Sequence, residues 1–113
     1  MRKIEFRAWD KENKEMVKIE LLGKKVLLIK NGEWENIENF EVMQYTGLKD
    51  KNGREIYEGD IVECFNNGNS YVSFKGGVYG LISNYGFIPF SDVHGKMKVI
   101  GNIFQDGDLL RDS

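Results

Sequence analysis

The residues most able to do chemistry are three carboxylates near the middle of the chain. Glu58 and Asp60 flank Gly59, and Asp50 lies ten residues before Asp60. Paired carboxylates can serve general acid–base catalysis or hold a hard cation. Carboxylates beside glycine also commonly accept hydrogen bonds from turn amides. We therefore expect these side chains to stabilise turns, and an uncharacterised enzyme with a carboxylate site stays as an alternative.

Other candidate reactive groups are isolated in the sequence. The run from Asp50 to Gly53 resembles a calcium loop only superficially, because glycine falls at the fourth position instead of the sixth. The single histidine, His94, precedes Gly95 and is expected in an exposed turn. The single cysteine, Cys64, is expected to be a small buried hydrophobe. The sequence thus predicts no catalytic residue, no metal site and no cofactor.

Length and composition indicate one globular domain spanning residues 1–113. The chain is 41% hydrophobic and 30% charged, which is ordinary for a folded domain. Thirteen glycines and one proline predict many tight reversals. No apolar run approaches the roughly 20 residues that span a bilayer, and no apolar signal segment opens the chain. We expect a cytoplasmic protein without membrane contact.

Charge is unevenly distributed along the chain. Residues 1–30 hold nine Lys/Arg and five Asp/Glu, whereas residues 31–64 hold three and nine. The net charge of −2 argues against bulk electrostatic capture of nucleic acid. The basic segment nevertheless supplies a candidate basic surface, which would gain weight if it shared a face with Trp9. Its members are Arg7, Lys18, Lys24 and Lys25.

The N-terminal half reads as hairpins. Alternation over residues 3–20 predicts two strands around a turn at residues 10–14, where Asp can bond amides and Asn tolerates positive φ. Asn31-Gly32 predicts a type I′ turn between the strand at residues 24–30 and the strand of Trp34. Residues 36–43 are open between a short helix capped by Asn36 and a loop leading into a strand.

The C-terminal half continues this pattern. Residues 50–53 predict a type I turn with Gly53 in the left-handed region, and residues 58–60 a second reversal. Further turns are expected at residues 66–69 and 76–77, and Pro89 suggests an edge strand. Leu109 and Leu110 suggest a docked helical turn. The fold class is mainly β: a small barrel or sandwich of short antiparallel strands and hairpins, with at most one or two short helices.

Four segments, in order, resemble the YopX family. They are residues 4–10 (IEFRAWD), 44–50 (QYTGLKD) with Gly53, 58–62 (EGDIV) and 99–103 (VIGNI). The resemblance implies a β-rich protein of unknown biochemical function encoded by phages and prophages. Departures at Val17 and at residues 105–108 bear on C-terminal packing. The candidate functional or turn-structural motif comprises Gln44, Tyr45, Thr46, Gly47, Asp50, Gly53, Glu58, Gly59 and Asp60.

The functional expectation follows from what is missing as well as what is present. Fourteen aromatic residues suit core filling and subunit contacts. We expect a non-enzymatic protein-interaction module, a phage or prophage accessory protein whose partner is itself or a host or phage protein. The first alternative is a weak nucleic-acid-binding β-barrel protein, and the second is the carboxylate enzyme named above.

Overall fold

The chain folds into short strands joined by tight turns. The computed structural model describes residues 5–64 and 68–110. The chain forms two compact units, one ending at Tyr45 (unit 1) and one starting at Thr46 (unit 2). Strand β5 (Phe40–Lys49) runs from the first unit into the second.

Unit 1 consists of antiparallel strands around a small apolar core. Its other strands are β1 (Phe6–Asp10), β2 (Glu15–Leu22), β3 (Val26–Ile29) and β4 (Trp34–Asn36). They pair in the order β4-β3-β2-β1-β5. Because side chains alternate between the two faces of a strand, every second residue points into the core. The buried set is Ala8, Leu27, Ile29 and Phe40, with Val17, Ile19, Ile37 and Val42 packed around it.

Unit 2 contains a five-stranded antiparallel sheet and a short hairpin. Its strands after β5 are β6 (Glu55–Tyr57), β7 (Asp60–Cys64), β8 (Asn69–Lys75), β9 (Val78–Ser83), β10 (Gly86–Pro89) and β11 (Met97–Asn102). The sheet order is β10-β9-β8-β7-β11, and β6 pairs with the end of β5. The core is formed by Ile56, Val62, Cys64, Val72, Leu81, Phe90, Val93, Met97 and Val99.

The predicted mainly β class of short antiparallel strands and hairpins is confirmed. Both sheets have two end strands, so neither is closed into a barrel. Helix in the described part of the chain is limited to the 3-10 helices Ile37–Asn39, Phe90–Asp92 and Gly107–Leu110. None of the helices in that part is long or apolar enough to traverse a bilayer.

The open question over residues 36–43 is settled by a cap followed by a strand. Asn36 Oδ1 accepts a hydrogen bond from the Glu38 N–H at 2.9 Å, as an N-cap does. The helix is a single 3-10 turn, because β5 begins directly after it at Phe40. Both alternatives therefore describe part of the segment.

The turn after β3 corrects the sequence prediction. The Gly32 N–H donates to the Ile29 carbonyl, and the Ile29 N–H donates to the Glu33 carbonyl. Gly32 has φ +90°, whereas Asn31 does not have positive φ. The predicted type I′ turn is wrong: a type I turn precedes a left-handed glycine. Asn31 Oδ1 accepts from the Glu33 N–H, and this local bond holds the asparagine in the ordinary region.

In the turn after β1, Asp10 accepts backbone hydrogen bonds as expected, but the residue with positive φ is not the expected asparagine. Asp10 Oδ1 accepts from the N–H groups of Glu12 and Asn13 at 3.0 and 3.1 Å. The positive φ falls on Lys14, at +55°, and not on Asn13. Lys14 is the only non-glycine residue in the left-handed region within the described ranges. A side chain with a Cβ is disfavoured in that conformation.

The structure agrees with the predicted turn, edge strand and helical turn in the C-terminal half. Gly76 and Gly77 form the β8–β9 turn, each with positive φ. Pro89 ends β10, an edge strand as predicted. Leu109 and Leu110 lie in a 3-10 helix, and the Leu109 carbonyl accepts from Asn69 Nδ2 at 2.8 Å. In the turn predicted at residues 66–69, residues 66 and 67 lie outside the described residues.

Replacing Lys14 by glycine should stabilise unit 1. Glycine removes the Cβ clash at φ +55°, and part of that gain is offset by the greater entropy of the unfolded glycine chain. We expect the free energy of unfolding to rise by about 0.5–1 kcal/mol. Urea denaturation followed by tryptophan fluorescence measures it, since both tryptophans lie in unit 1. Glu12→Gly, in the same turn at ordinary φ, should lower stability. Equal changes in the free energy of unfolding for Lys14→Gly and Glu12→Gly would show that Lys14 is not strained.

Candidate functional site

Asp50 is buried at the start of the turn between β5 and β6 and accepts three backbone hydrogen bonds. Its Oδ1 accepts from the N–H groups of Asn52 and Arg54, at 2.8 and 2.9 Å. Its Oδ2 accepts from the N–H of Val99 at 2.9 Å. Because Val99 lies in β11, the carboxylate joins a turn to a strand 49 residues further along the chain.

The same contacts keep this carboxylate ionised. Burial by itself raises the pKa of Asp50, because it disfavours the charged form. The N–H groups of Val99, Arg54 and Asn52, together with the charge of Arg54, outweigh burial and hold the pKa below its ordinary value. An acid–base catalyst near neutral pH needs the opposite shift. Asp50 is therefore suited to holding backbone, not to moving protons.

The predicted pair of carboxylates, Glu58 and Asp60, also lies at a chain reversal. Gly59 separates β6 from β7 and has φ +83°. Asp60 is 1% exposed, and its Oδ2 accepts from the N–H of Tyr57 at 2.8 Å. Glu58 is half-buried in the same turn. The backbone of Gly59 is bonded as well, to the Val72 carbonyl and to the Ile103 N–H.

The rest of the predicted motif has backbone roles. Thr46 Oγ1 donates to the Ile56 carbonyl at 2.8 Å and accepts from the Leu48 N–H at 3.2 Å. Gly47 and Gly53 have φ +89° and +85°, a region that suits residues without a Cβ. Gln44 and Tyr45 belong to unit 1, where the Tyr45 N–H donates to the Glu5 carbonyl. The structure thus places Asp50, Gly53, Glu58, Gly59 and Asp60 at or beside two turns of unit 2. The other four residues lie in β5, Gln44 and Tyr45 at the end of unit 1 and Thr46 and Gly47 in unit 2.

The remaining reactive residues lie apart from these turns. His94 is exposed in the loop before β11, as expected. Cys64 is buried in the core of unit 2, as expected, and burial raises the pKa of its thiol. Within residues 5–64 and 68–110, no three His, Cys, Asp or Glu side chains are grouped as a metal site would require.

A small pocket in unit 2 offers little chemistry. Its volume is about 220 Å³, below the usual range of ligand sites. It lies over β8, β9 and the C-terminal 3-10 helix. It is lined by Asn69, Tyr71, Ile82, Ser83, Asn84 and Leu110. The lining has no carboxylate, imidazole or thiol, and its only ionisable group is the Tyr71 phenol.

The predicted basic surface is not assembled as proposed. Arg7 is 8% exposed, and its Nη2 lies 3.7 Å from the Met43 sulfur, so Arg7 is not a surface residue. Lys18 lies opposite Arg7 on β2 and is exposed. Lys24 and Lys25 are exposed in the turn between β2 and β3. Trp9 lies on the Arg7 face of β1 but is buried too, so Trp9 does not provide an open aromatic platform beside these cations.

A surface that sequence reasoning missed lies on the outer face of unit 1, by which we mean the face of its sheet that points away from Leu27 and Ile29 of the core. Leu21 is opposite Leu28, and Leu28 is opposite Trp34, which places one side chain from each of three neighbouring strands in a row. We call Leu21, Leu28 and Trp34 the apolar row. Leu21 is 58% and Trp34 60% exposed, and Val26, on the Leu28 face of β3, is 45% exposed. Contiguous exposed apolar side chains mark interaction surfaces.

The sequence did contain a signal for this surface. The run Val26–Ile29 is apolar at every position, although a strand turns alternate side chains to opposite faces. Leu27 and Ile29 fill the core, so Val26 and Leu28 must face outward. A four-residue apolar strand in so small a unit therefore predicts either a second covering layer or an exposed apolar face.

Removing the Asp50 carboxylate should strongly destabilise the protein. Asp50→Ala leaves three buried or half-buried N–H groups without their acceptor, and Asp50→Asn keeps only one acceptor oxygen. We expect a loss of about 3 kcal/mol in the free energy of unfolding for alanine and somewhat less for asparagine. Urea denaturation followed by circular dichroism measures both. Asp92→Asn, at an exposed position, is the control and should change stability little.

Acid should erase the difference between wild type and Asp50→Asn. The folded-state pKa of Asp50 lies below its unfolded value, so its contribution is complete above about pH 4 and is lost as the pH falls through the folded value. Asp10, whose pKa is lowered by the Asn13 N–H against the effect of burial, is present in both proteins and cancels. Denaturation curves at a series of pH values test this, and a difference that persists unchanged into strong acid would contradict it.

Comparison with known proteins places this geometry in context. The structure of protein EF1440 from Enterococcus faecalis is similar, with a TM-score of 0.74 at 25% identity, covering 97% of this chain and 99% of that one. The structure of protein yopX from Bacillus subtilis has a TM-score of 0.61 at 21% identity, with the same coverage. No curated protein matches the chain.

The family assignment rests on almost the full length. The YopX protein family matches residues 5–111, a range that covers most of both units and contains the Asp50 turn and the apolar row. This agrees with the resemblance drawn from the four sequence segments. The chain belongs to the YopX family.

Proposed function

We propose that this protein is a non-enzymatic binding module that contacts a protein partner through the apolar row of unit 1. The observation that carries the proposal is the row itself: two strongly exposed large side chains, Leu21 and Trp34, with Leu28 directly between them. Tryptophan at the centre of a contact contributes more to binding than most residues do. An uncovered row of this kind costs solubility unless a partner covers it.

The carboxylate enzyme is less well supported. Asp50 and Asp60 both accept backbone N–H groups at turns, which is a structural use of a carboxylate. The lowered pKa of Asp50 also disfavours proton transfer near neutral pH. These observations support binding over catalysis as the role of this chain.

The nucleic-acid alternative loses part of its basis. Arg7 is buried, and among the exposed lysines of unit 1 Lys30 contacts Glu20 at 2.8 Å and Lys11 contacts Glu41 at 3.4 Å. Cations paired in this way release fewer counterions when a phosphate approaches. Of the four residues of the predicted basic surface, only Lys18, Lys24 and Lys25 are exposed, which is a small number of cations for binding a phosphate backbone.

The wider setting is part of the proposal. The family resemblance supports a phage or prophage accessory role in the bacterial cytoplasm. The partner is then a protein of the host or phage, and self-association is the remaining possibility. Light scattering of the purified chain tests self-association: a dimer or larger species indicates that the partner is a second copy, whereas a monomer leaves a host or phage protein as the partner.

Substituting the row should abolish partner binding. We expect Trp34→Ser to remove the proteins that wild type retains from a lysate of bacteria carrying the gene, because it deletes the largest exposed ring of the row. Quantitative mass spectrometry of the retained proteins measures it. Tyr85→Ser is the matched control, since Tyr85 is an 88% exposed aromatic on a turn of unit 2. Identical retained proteins for wild type and Trp34→Ser would overturn the proposal.

A further inference from the structure

We infer that the partner binds as an extended segment that adds a strand to the free edge of β4, with apolar residues alternating with Lys or Arg. This rests on the proposed function and names the partner's chemistry. β4 is an end strand, and within the described part of the chain no strand pairs with its outer side. Addition of a strand to an open edge is a recurrent mode of peptide recognition.

The backbone of β4 presents unused groups at this edge. The Ile29 N–H donates to the Glu33 carbonyl, and the Ile37 N–H donates to the Lys25 carbonyl. In an antiparallel ladder bonded residues alternate, so Glu33, Glu35 and Ile37 face β3. The backbone N–H and C=O groups of Trp34 and the backbone N–H of Asn36 therefore point to the open side. The edge offers two donors, the N–H groups of Trp34 and Asn36, and one acceptor, the Trp34 carbonyl.

The side chains of β4 set the pattern expected of the partner. Trp34 lies on the outer face with the apolar row, so partner residues on that face should be apolar. Glu35 lies opposite Leu27 on the other face, and Glu33 shares that face by alternation. Residues 31–41 contain four glutamates and no lysine or arginine. Opposite charges across a strand pair are favourable, so partner residues on the Glu33 and Glu35 face should be basic.

The same charges argue against a second copy at this edge. Antiparallel pairing of two β4 strands about Trp34 would place Glu33 of one copy directly opposite Glu35 of the other. Like charges directly opposite one another destabilise a strand pair. The edge therefore suits a different, basic strand.

The test uses Asn36→Pro against Asn36→Ala. Asn36 has φ −75°, which proline adopts without strain, and its N–H faces the open edge, where proline is tolerated. Both variants lose the side-chain cap on Glu38, but only proline removes the edge donor and places its ring there. Circular dichroism of both variants verifies that the fold is kept.

The probe is a displayed library of random peptides of about nine residues, selected on the full-length chain. We expect enriched peptides to alternate apolar and basic residues. Asn36→Pro should weaken their affinity about tenfold relative to Asn36→Ala, and Glu35→Lys should weaken it similarly. Glu12→Lys, at an exposed turn remote from β4 in the sheet order, is the charge control.

Different failures point to different conclusions. Equal affinity of Asn36→Pro and Asn36→Ala overturns strand addition, as does a selection that enriches acidic or unpatterned peptides or none. If Trp34→Ser still loses its lysate partner in that case, the proposed function stands without the strand. If Trp34→Ser keeps all binding, the proposed function itself is wrong.

Discussion

Every tight reversal leaves backbone N–H groups that strands cannot satisfy, and buried groups of this kind must find acceptors. Asp50 meets this constraint for three of them at once, and two come from its own turn while the third comes from β11. A single carboxylate thus fixes the shape of a hairpin and its attachment to the sheet of unit 2. The Lys51 N–H adds a second tie to the same strand through the Met97 carbonyl.

Unit 1 and unit 2 differ in how they distribute apolar side chains between core and surface. Unit 2 has enough apolar residues to surround its core, and its exposed large hydrophobics lie chiefly at hairpin ends. Within the described residues of unit 1, the apolar cluster has four buried members, and further apolar side chains are exposed on the opposite face of the sheet. A surface of this kind opposes solubility, and it lies beside an open strand edge; these two features are the basis of the binding role proposed above.

Local features of the fold were predictable from the sequence, and long-range ones were not. The Asp50–Gly53 turn and the Asn36 cap involve neighbours within four residues, so residue preferences decide them. The bond from Val99 to Asp50 joins positions 49 apart and depends on the whole sheet. Asn31-Gly32 misled because asparagine has two uses in turns, positive φ or a side-chain acceptor, and the second prevailed. Burial of Arg7 also depends on long-range packing, which a single sequence does not reveal.

The lone thiol in the core of unit 2 has a practical consequence. Cys64 is 6% exposed, so an alkylating reagent reaches it only when that unit opens, and the labelling rate reports the population of the open form. Trp9 and Trp34, both in unit 1, report on the other half of the chain through their emission. The molecule therefore carries two intrinsic reporters, one chemical and one optical, with which breathing of each half can be timed separately.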